Sequence, residues 1–169
     1  MYNGVTIWDE VDRSVSRAQK TAERGIDMIC GRFKHNLDEK KRIKIPSELR
    51  EELGAKVYLI EAPDVSTKCI YLYSESGWQD LYQQFAQGEE YNEETRRLTR
   101  RILSSVVCGN VDKNGRLTLD SELKSYAGIN DEVYIIGNFT HVELWAAEEW
   151  LNEKSVMAAQ STKGHNIKF

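Results

Sequence analysis

Two stretches of this chain are versions of one another, 74 positions apart. Leu37-Asp38-Glu39-Lys40-Lys41-Arg42-Ile43-Lys44-Ile45-Pro46-Ser47-Glu48-Leu49 reappears as Val111-Asp112-Lys113-Asn114-Gly115-Arg116-Leu117-Thr118-Leu119-Asp120-Ser121-Glu122-Leu123. The register carries on from Gly54 to Gly128. After a small length change, Val57-Tyr58-Leu59-Ile60 matches Val133-Tyr134-Ile135-Ile136. Ile70-Tyr71-Leu72-Tyr73 then matches Val142-Glu143-Leu144-Trp145, and Trp78 falls opposite Trp150. A tandem duplication constrains the architecture before any single residue is interpreted. At 169 residues the chain can bury one good core, or two small half-domains can share one.

Each copy reads as the same series of elements. A strand (32–37; 106–111) enters a polar turn, a short strand follows (42–45; 116–119), and a helix comes next. In the first copy that helix is expected over Ser47–Leu53, with Pro46 in its first turn and Gly54 as its stop. In the second, Asp120 or Ser121 caps and Gly128 stops. Two further strands are expected in each copy, 56–61 and 68–73, then 132–137 and 141–145, with turns at Pro63-Asp64 and Gly137-Asn138. Between the copies, Trp78, Leu81, Tyr82 and Phe85 share a helical face entered through a Ser76/Gln79 capping box and ended by Gly88. A second helix starts at Asn92, acidic at Glu93 and Glu94 and basic at Arg100 and Arg101, as the helix dipole favours. Its apolar face is Tyr91, Leu98 and Ile102. A last helix follows Trp150 and frays near Ser161. Residues 1–27 match neither copy and are expected to be a mobile or weakly helical leader.

Composition excludes several classes. No apolar run approaches the roughly 20 residues of a membrane span, and 1–25 lack the plan of a secretory signal. Cys30, Cys69 and Cys108 are an odd count without metal-ligand spacing, so reduced cytosolic thiols are expected. His35, His141 and His165 are scattered, so no metal is expected. No phosphate loop, nucleophile elbow or paired carboxylate points to an enzyme, a small-molecule substrate or a cofactor. Arg96, Arg97, Arg100 and Arg101 read as the wet side of their helix, and Trp78 and Trp150 as packing.

The net charge of −4 argues mildly against a nucleic-acid binder, but its distribution does not. From Gly31 to Arg50 there are seven basic residues (Arg32, Lys34, Lys40, Lys41, Arg42, Lys44, Arg50) against three acidic ones. The matching stretch of the second copy holds only Lys113, Arg116 and Lys124. Both copies retain Asp-x-x-x-Arg between short strands. The aspartate can close the turn by accepting backbone N–H groups, and the arginine then projects from a rigid hairpin. Such a five-donor fork can reach phosphates or guanine edges in a major groove. The competing reading is an Asp–Arg pair that only braces the hairpin, of little energetic weight when exposed.

The double strand–Asp-x-x-Gly-Arg–strand–helix unit resembles the MraZ family of transcriptional regulators, built from two SpoVT/AbrB-like domains. Asp112-Lys113-Asn114-Gly115-Arg116 fits the motif fully; Asp38-Glu39-Lys40-Lys41-Arg42 fits with Lys41 in place of glycine. Lys41 therefore stands either in a strained left-handed turn or in a different turn that gains a phosphate contact. The family start is similar to Met28-Ile29-Cys30-Gly31, so 1–27 are expected to be an upstream-start artefact or a lineage-specific extension. The resemblance implies an α+β fold of two pseudo-symmetric swapped-hairpin β-barrel half-domains. These are 28–75 and 105–148, with a helical connector (76–104) and a C-terminal helix and tail (149–169). It implies a repressor in the cytoplasm, at the nucleoid, assembling as closed homo-oligomeric rings on tandem promoter repeats of double-stranded DNA in the division and cell-wall cluster. Arg42 and Arg116 are the motif arginines, with Lys40, Lys41, Lys44, Arg32, Lys34 and Lys113 as helpers and Asp38, Asp112 and Gly115 shaping the turns. From the charge asymmetry, the first copy is expected to dominate binding. The alternatives are an AbrB-fold antitoxin that neutralises a protein partner, and an assembly protein whose Lys41 has abolished readout.

Overall fold

The computed structural model describes residues 29–87 and 92–160. The expected leader, the Gly88 stop, Tyr91 and the tail from Ser161 lie outside the described residues. In chain order the elements are β1 (Ile29–Asn36), β2 (Arg42–Lys44), α1 (Ser47–Leu53), β3 (Lys56–Glu61), β4 (Cys69–Ser74), α2 (Glu75–Gln87) and α3 (Glu93–Ser105). Then come β5 (Val107–Asn110), β6 (Arg116–Thr118), α4 (Ser121–Tyr126), β7 (Glu132–Phe139), β8 (His141–Ala146) and α5 (Ala147–Ala159). It is a mixed α+β protein around an antiparallel sheet.

Six strands form that sheet in the order β1-β7-β8-β4-β3-β5, and β2 pairs with β6 as a separate ribbon. The first strand of each copy pairs with the other copy: β1 runs along β7, and β5 along β3. Read from either edge, the sheet therefore presents the same series of repeat positions. The pseudo-twofold axis passes between Tyr71 and Glu143, which pair across β4 and β8. It also passes between Ile43 and Leu117, which pair across the ribbon.

The core follows from that symmetry. Ile43 and Leu117, Leu49 and Leu123, Val57 and Val133, and Leu72 and Leu144 are matched residues, all buried in one cluster. Each copy's apolar face is covered largely by its counterpart, so neither has a closed core of its own. The sheet's other face carries the helices after β4 and β8. Trp78 stacks on Tyr58 at 5.5 Å, and its counterpart Trp150 meets Tyr134 at 6.1 Å. Both tryptophans are buried packing residues.

Several boundaries differ from expectation. β1 starts at Ile29 because Ile29 finds a partner in Phe139. Pro46 occupies the cap of α1, not its first turn, and its carbonyl accepts the N–H groups of Leu49 and Arg50. α2 begins at Glu75, and Ser74 Oγ accepts the Gly77 N–H at 3.1 Å in place of a Ser76/Gln79 box. On its expected apolar face Trp78 is buried, while Tyr82 is 52% exposed. In α3, Asn92 caps Thr95 and Ile102 is buried, but Leu98 stays exposed. Arg96 and Arg97 reach Glu93 on its wet side. The β7–β8 turn falls at Phe139-Thr140, two residues later than the Gly-Asn signal. Gly137 is held inside the strand, where a Cβ would lie 2.6 Å from the Cys30 backbone. α5 starts at Ala147, so Trp150 sits within it.

Candidate nucleic-acid interface

The two Asp-x-x-x-Arg turns are built bond for bond alike. Asp38 Oδ1 accepts the N–H groups of Lys40 and Arg42, each at 2.9 Å. Asp112 Oδ1 accepts those of Asn114 at 2.8 Å and Arg116 at 2.9 Å. Inside each turn, Lys41 N–H donates to the Asp38 carbonyl and Gly115 N–H to that of Asp112. The aspartates thus spend one carboxylate oxygen on the turn itself. That holds the next residue at the start of the ribbon.

Lys41 adopts φ 57° and Gly115 φ 76°, so the first copy keeps the left-handed turn without its glycine. A side chain in this region costs roughly 1 kcal/mol, partly offset by the lower chain entropy of a non-glycine residue when unfolded. Lys41→Gly is therefore expected to raise stability by no more than about 1 kcal/mol in chemical denaturation, while removing one exposed cation. A loss of stability would mean that the lysine makes a compensating contact.

Side-chain alternation divides the ribbon. Ile43 and Leu117 are fully buried in the core, which puts Arg42, Lys44, Arg116 and Thr118 on the outward face. The register sets Lys44 directly across from Arg116, and Arg42 across from Thr118. Lys44, grouped by sequence with Arg42, thus lies beside the second copy's arginine. Lys40, Lys41 and Lys113 are exposed at the turns.

The two arginines are held differently. Arg42 donates from Nε at 2.8 Å and from Nη2 at 2.7 Å to Asp38 Oδ2, and its Nη1 lies 3.9 Å from Asp112 Oδ2. The hydrogen-bonded Arg42 guanidinium, followed by the backbone donors, pulls the Asp38 carboxyl down to about 2. The same pairing raises Arg42. Asp112 is also lowered, chiefly by the Arg116 backbone N–H. Arg116 itself is exposed, and its guanidinium makes no hydrogen bond or ion pair among the described residues.

Arg32 and Lys34 do not join this surface. They flank Phe33, which packs on the core, so they face the opposite side of β1. There Lys34 Nζ pairs with Glu132 at 2.8 Å and sits 5.6 Å from the Tyr134 ring. With Trp150 and Lys154 they line a cavity of about 300 Å³ beside α5. Arg50, from α1, does reach the turns: its side chain lies against Gly115 of the other copy. Sequence reading counts Arg50 among the basic residues without giving it a role. The available signal is its counterpart Lys124, a second basic residue after a matched leucine.

The fold and its two turns define a class: duplicated α+β proteins in which both copies bring one motif arginine to a shared ribbon. A family model described as "MraZ protein, putative antitoxin-like" matches residues 28–101 and 104–164. A curated protein of Dehalococcoides mccartyi, "Transcriptional regulator MraZ", is 37% identical over 134 residues, covering 79% of this chain and 93% of its own length. Proteins of the same name from Caldicellulosiruptor bescii (36% identical, 75% of this chain and 86% of theirs) and Thermomicrobium roseum (30%, with 79% and 92%) are similar too. The chain belongs to the MraZ family. Among the described residues no helix is long and apolar enough to cross a membrane.

Proposed function

We propose that this protein is a sequence-specific DNA-binding transcriptional regulator that places its β2–β6 ribbon in the major groove. The observation that carries this reading is the convergence of Arg42, Lys44 and Arg116 on the outward face of one ribbon whose inner face is anchored in the core. Rigidity matters because a side chain reads a base edge only when its backbone is held in place. The major groove, about 12 Å wide, admits a two-stranded ribbon. Segments 38–44 and 112–116 hold six basic residues against Asp38, Glu39 and Asp112, so the ribbon is cationic on an acidic body. The curated relatives bear the name transcriptional regulator, which supports the reading.

The finer parts belong to the same proposal. The strand exchange is the swapped-hairpin barrel of an AbrB-like fold. The protein acts in the cytoplasm at the nucleoid, as a repressor of the division and cell-wall cluster. It binds tandem promoter repeats as a closed homo-oligomeric ring. A ring answers the charge objection, because several weak ribbons on one duplex gain about 10² to 10⁴ in avidity when the repeats match their spacing.

The test is binding to DNA from upstream of its own gene, titrated across salt, beside scrambled DNA of equal length. Preference for the upstream DNA and a steep negative salt slope are expected. Equal affinity for both would discard the reading. The antitoxin-like wording of the family description would then direct the search to a protein partner.

A further inference from the structure

We propose that Arg50 is a third DNA-contacting arginine, seated on Gly115 and presented to a phosphate beside the second copy's turn. The inference rests on the ribbon reading above but concerns a residue from outside both motifs. Arg50 rises from α1 of the first copy and crosses to the turn of the second. A Cβ at Gly115 would lie 2.6 Å from its Nη1, 2.9 Å from its Cδ and 3.0 Å from its Cζ. The guanidinium therefore occupies the space that a side chain at 115 would fill.

What Arg50 lacks is an acceptor. Its Nε is enclosed and has no hydrogen-bond partner, and among the described residues its only carboxylate influence is the electrostatic one of Glu48 on its own helix, without an ion-pair contact. Arg42, a few residues away in sequence, has Asp38 for that purpose. A half-buried five-donor fork without a hydrogen-bonded acceptor is an exception needing an account. A phosphate satisfies its two Nη groups with parallel charge-assisted bonds, the enclosed Nε staying out of reach. Position also favours phosphate over base. Arg50 flanks the turn instead of standing on the ribbon's outward face, and the flanks of a ribbon lying in a groove meet the sugar–phosphate walls.

The pseudo-twofold axis supplies an internal control. It carries the Arg50–Gly115 pair onto Lys124 and Lys41. Where the helix carries arginine, the turn opposite keeps glycine; where the turn carries lysine, the helix has lysine. The departure of the first turn from the motif and the retention of Gly115 are then one feature: only one of the two turns seats a guanidinium. Arg50, Arg116 and Lys44 gather at that end of the ribbon.

The experiment measures Arg50→Ala, Arg50→Lys and Arg116→Ala in the full chain, on upstream and scrambled DNA across salt, with thermal melting as the fold check. Arg50→Ala is expected to weaken both DNAs about equally, by roughly tenfold, and to lower the salt slope by about 1 per bound subunit. Arg50→Lys keeps the stem and charge, so it should hold the fold and the slope and recover part of the affinity. Arg116→Ala should instead narrow the preference between the two DNAs. Wild-type affinity and slope in Arg50→Ala, with Arg116→Ala impaired, would overturn the role of Arg50 and leave the ribbon reading standing. Loss confined to the upstream DNA would overturn a phosphate contact. If the unaltered protein shows no preference between the DNAs, the ribbon reading and this inference fall together. Should Arg50→Ala fail to melt cooperatively, Arg50→Lys decides: wild-type affinity on both DNAs sinks the bidentate contact.

Discussion

Replacing Arg42 and Arg116 together by alanine is expected to abolish the preference for upstream DNA while leaving the melting temperature within a few degrees of the parent. Each well-placed bidentate contact to a base is worth about 1–3 kcal/mol of discrimination, so the pair supplies roughly 2–6 kcal/mol per subunit. In an assembly on repeated sites that loss recurs with every engaged subunit. Stability should change little, because the two turns keep their aspartates, and those hold backbone N–H groups as well as any side chain. The single variants are informative against each other. Charge counting along the chain favours a dominant first copy, but the ribbon register moves Lys44 beside Arg116, and Asp38 already grips Arg42. Comparable losses from Arg42→Ala and Arg116→Ala are therefore expected in fluorescence anisotropy. Full binding by the double variant would remove the ribbon from the interface.

The duplication, the two turns and most elements are legible in the sequence because they are local. Turn closure by an aspartate, helix stops and strand alternation act within a few residues. Pairing partners are not local, and nothing within β1 says that its neighbour is β7 of the other copy. For the same reason a stretch rich in lysine and arginine does not reveal which of its members share a face. Arg32 and Lys34 belong to the same basic run as Arg42, yet Phe33 turns them away from the core and toward α5. The Gly137-Asn138 turn signal loses to a tertiary demand, the close approach of the Cys30 backbone. Arg50 was hidden because its partner Gly115 lies in the other copy, and a glycine's reason is read from what crowds it.

The second large effect is structural and lies on the pseudo-twofold axis at the sheet end of the molecule. Glu143 is 8% exposed, and it sits across from Tyr71, the residue that occupies its position in the first copy. Its carboxylate accepts Asn138 Nδ2 and Trp145 Nε1, each at 2.8 Å, and His141 Nε2 stands 3.4 Å away, a long contact without hydrogen-bond alignment. His141 in turn stacks on Tyr71 at 4.1 Å. Burial pushes the Glu143 pKa up, but the nearby His141 ring and the hydrogen bonds from Asn138 and Trp145 more than offset it, so the group ends below its ordinary 4.5. Its neighbour Tyr73 is pushed up to about 12, first by burial and then by this carboxylate. Glu143→Ala strands these donors and is expected to cost about 2–4 kcal/mol, which for a chain of this size lowers Tm by on the order of 10 °C. Glu143→Gln keeps the shape and one acceptor, so its cost should be smaller. The sign with pH follows from the lowered pKa. The carboxylate's contribution is fully present above 4.5 and is lost as pH falls through the lower folded value. Denaturation of the parent and Glu143→Gln should therefore differ most near neutrality and converge in acid. A gap between them that stays constant below pH 4.5 would mean that Glu143 supports the sheet by shape alone, without its charge.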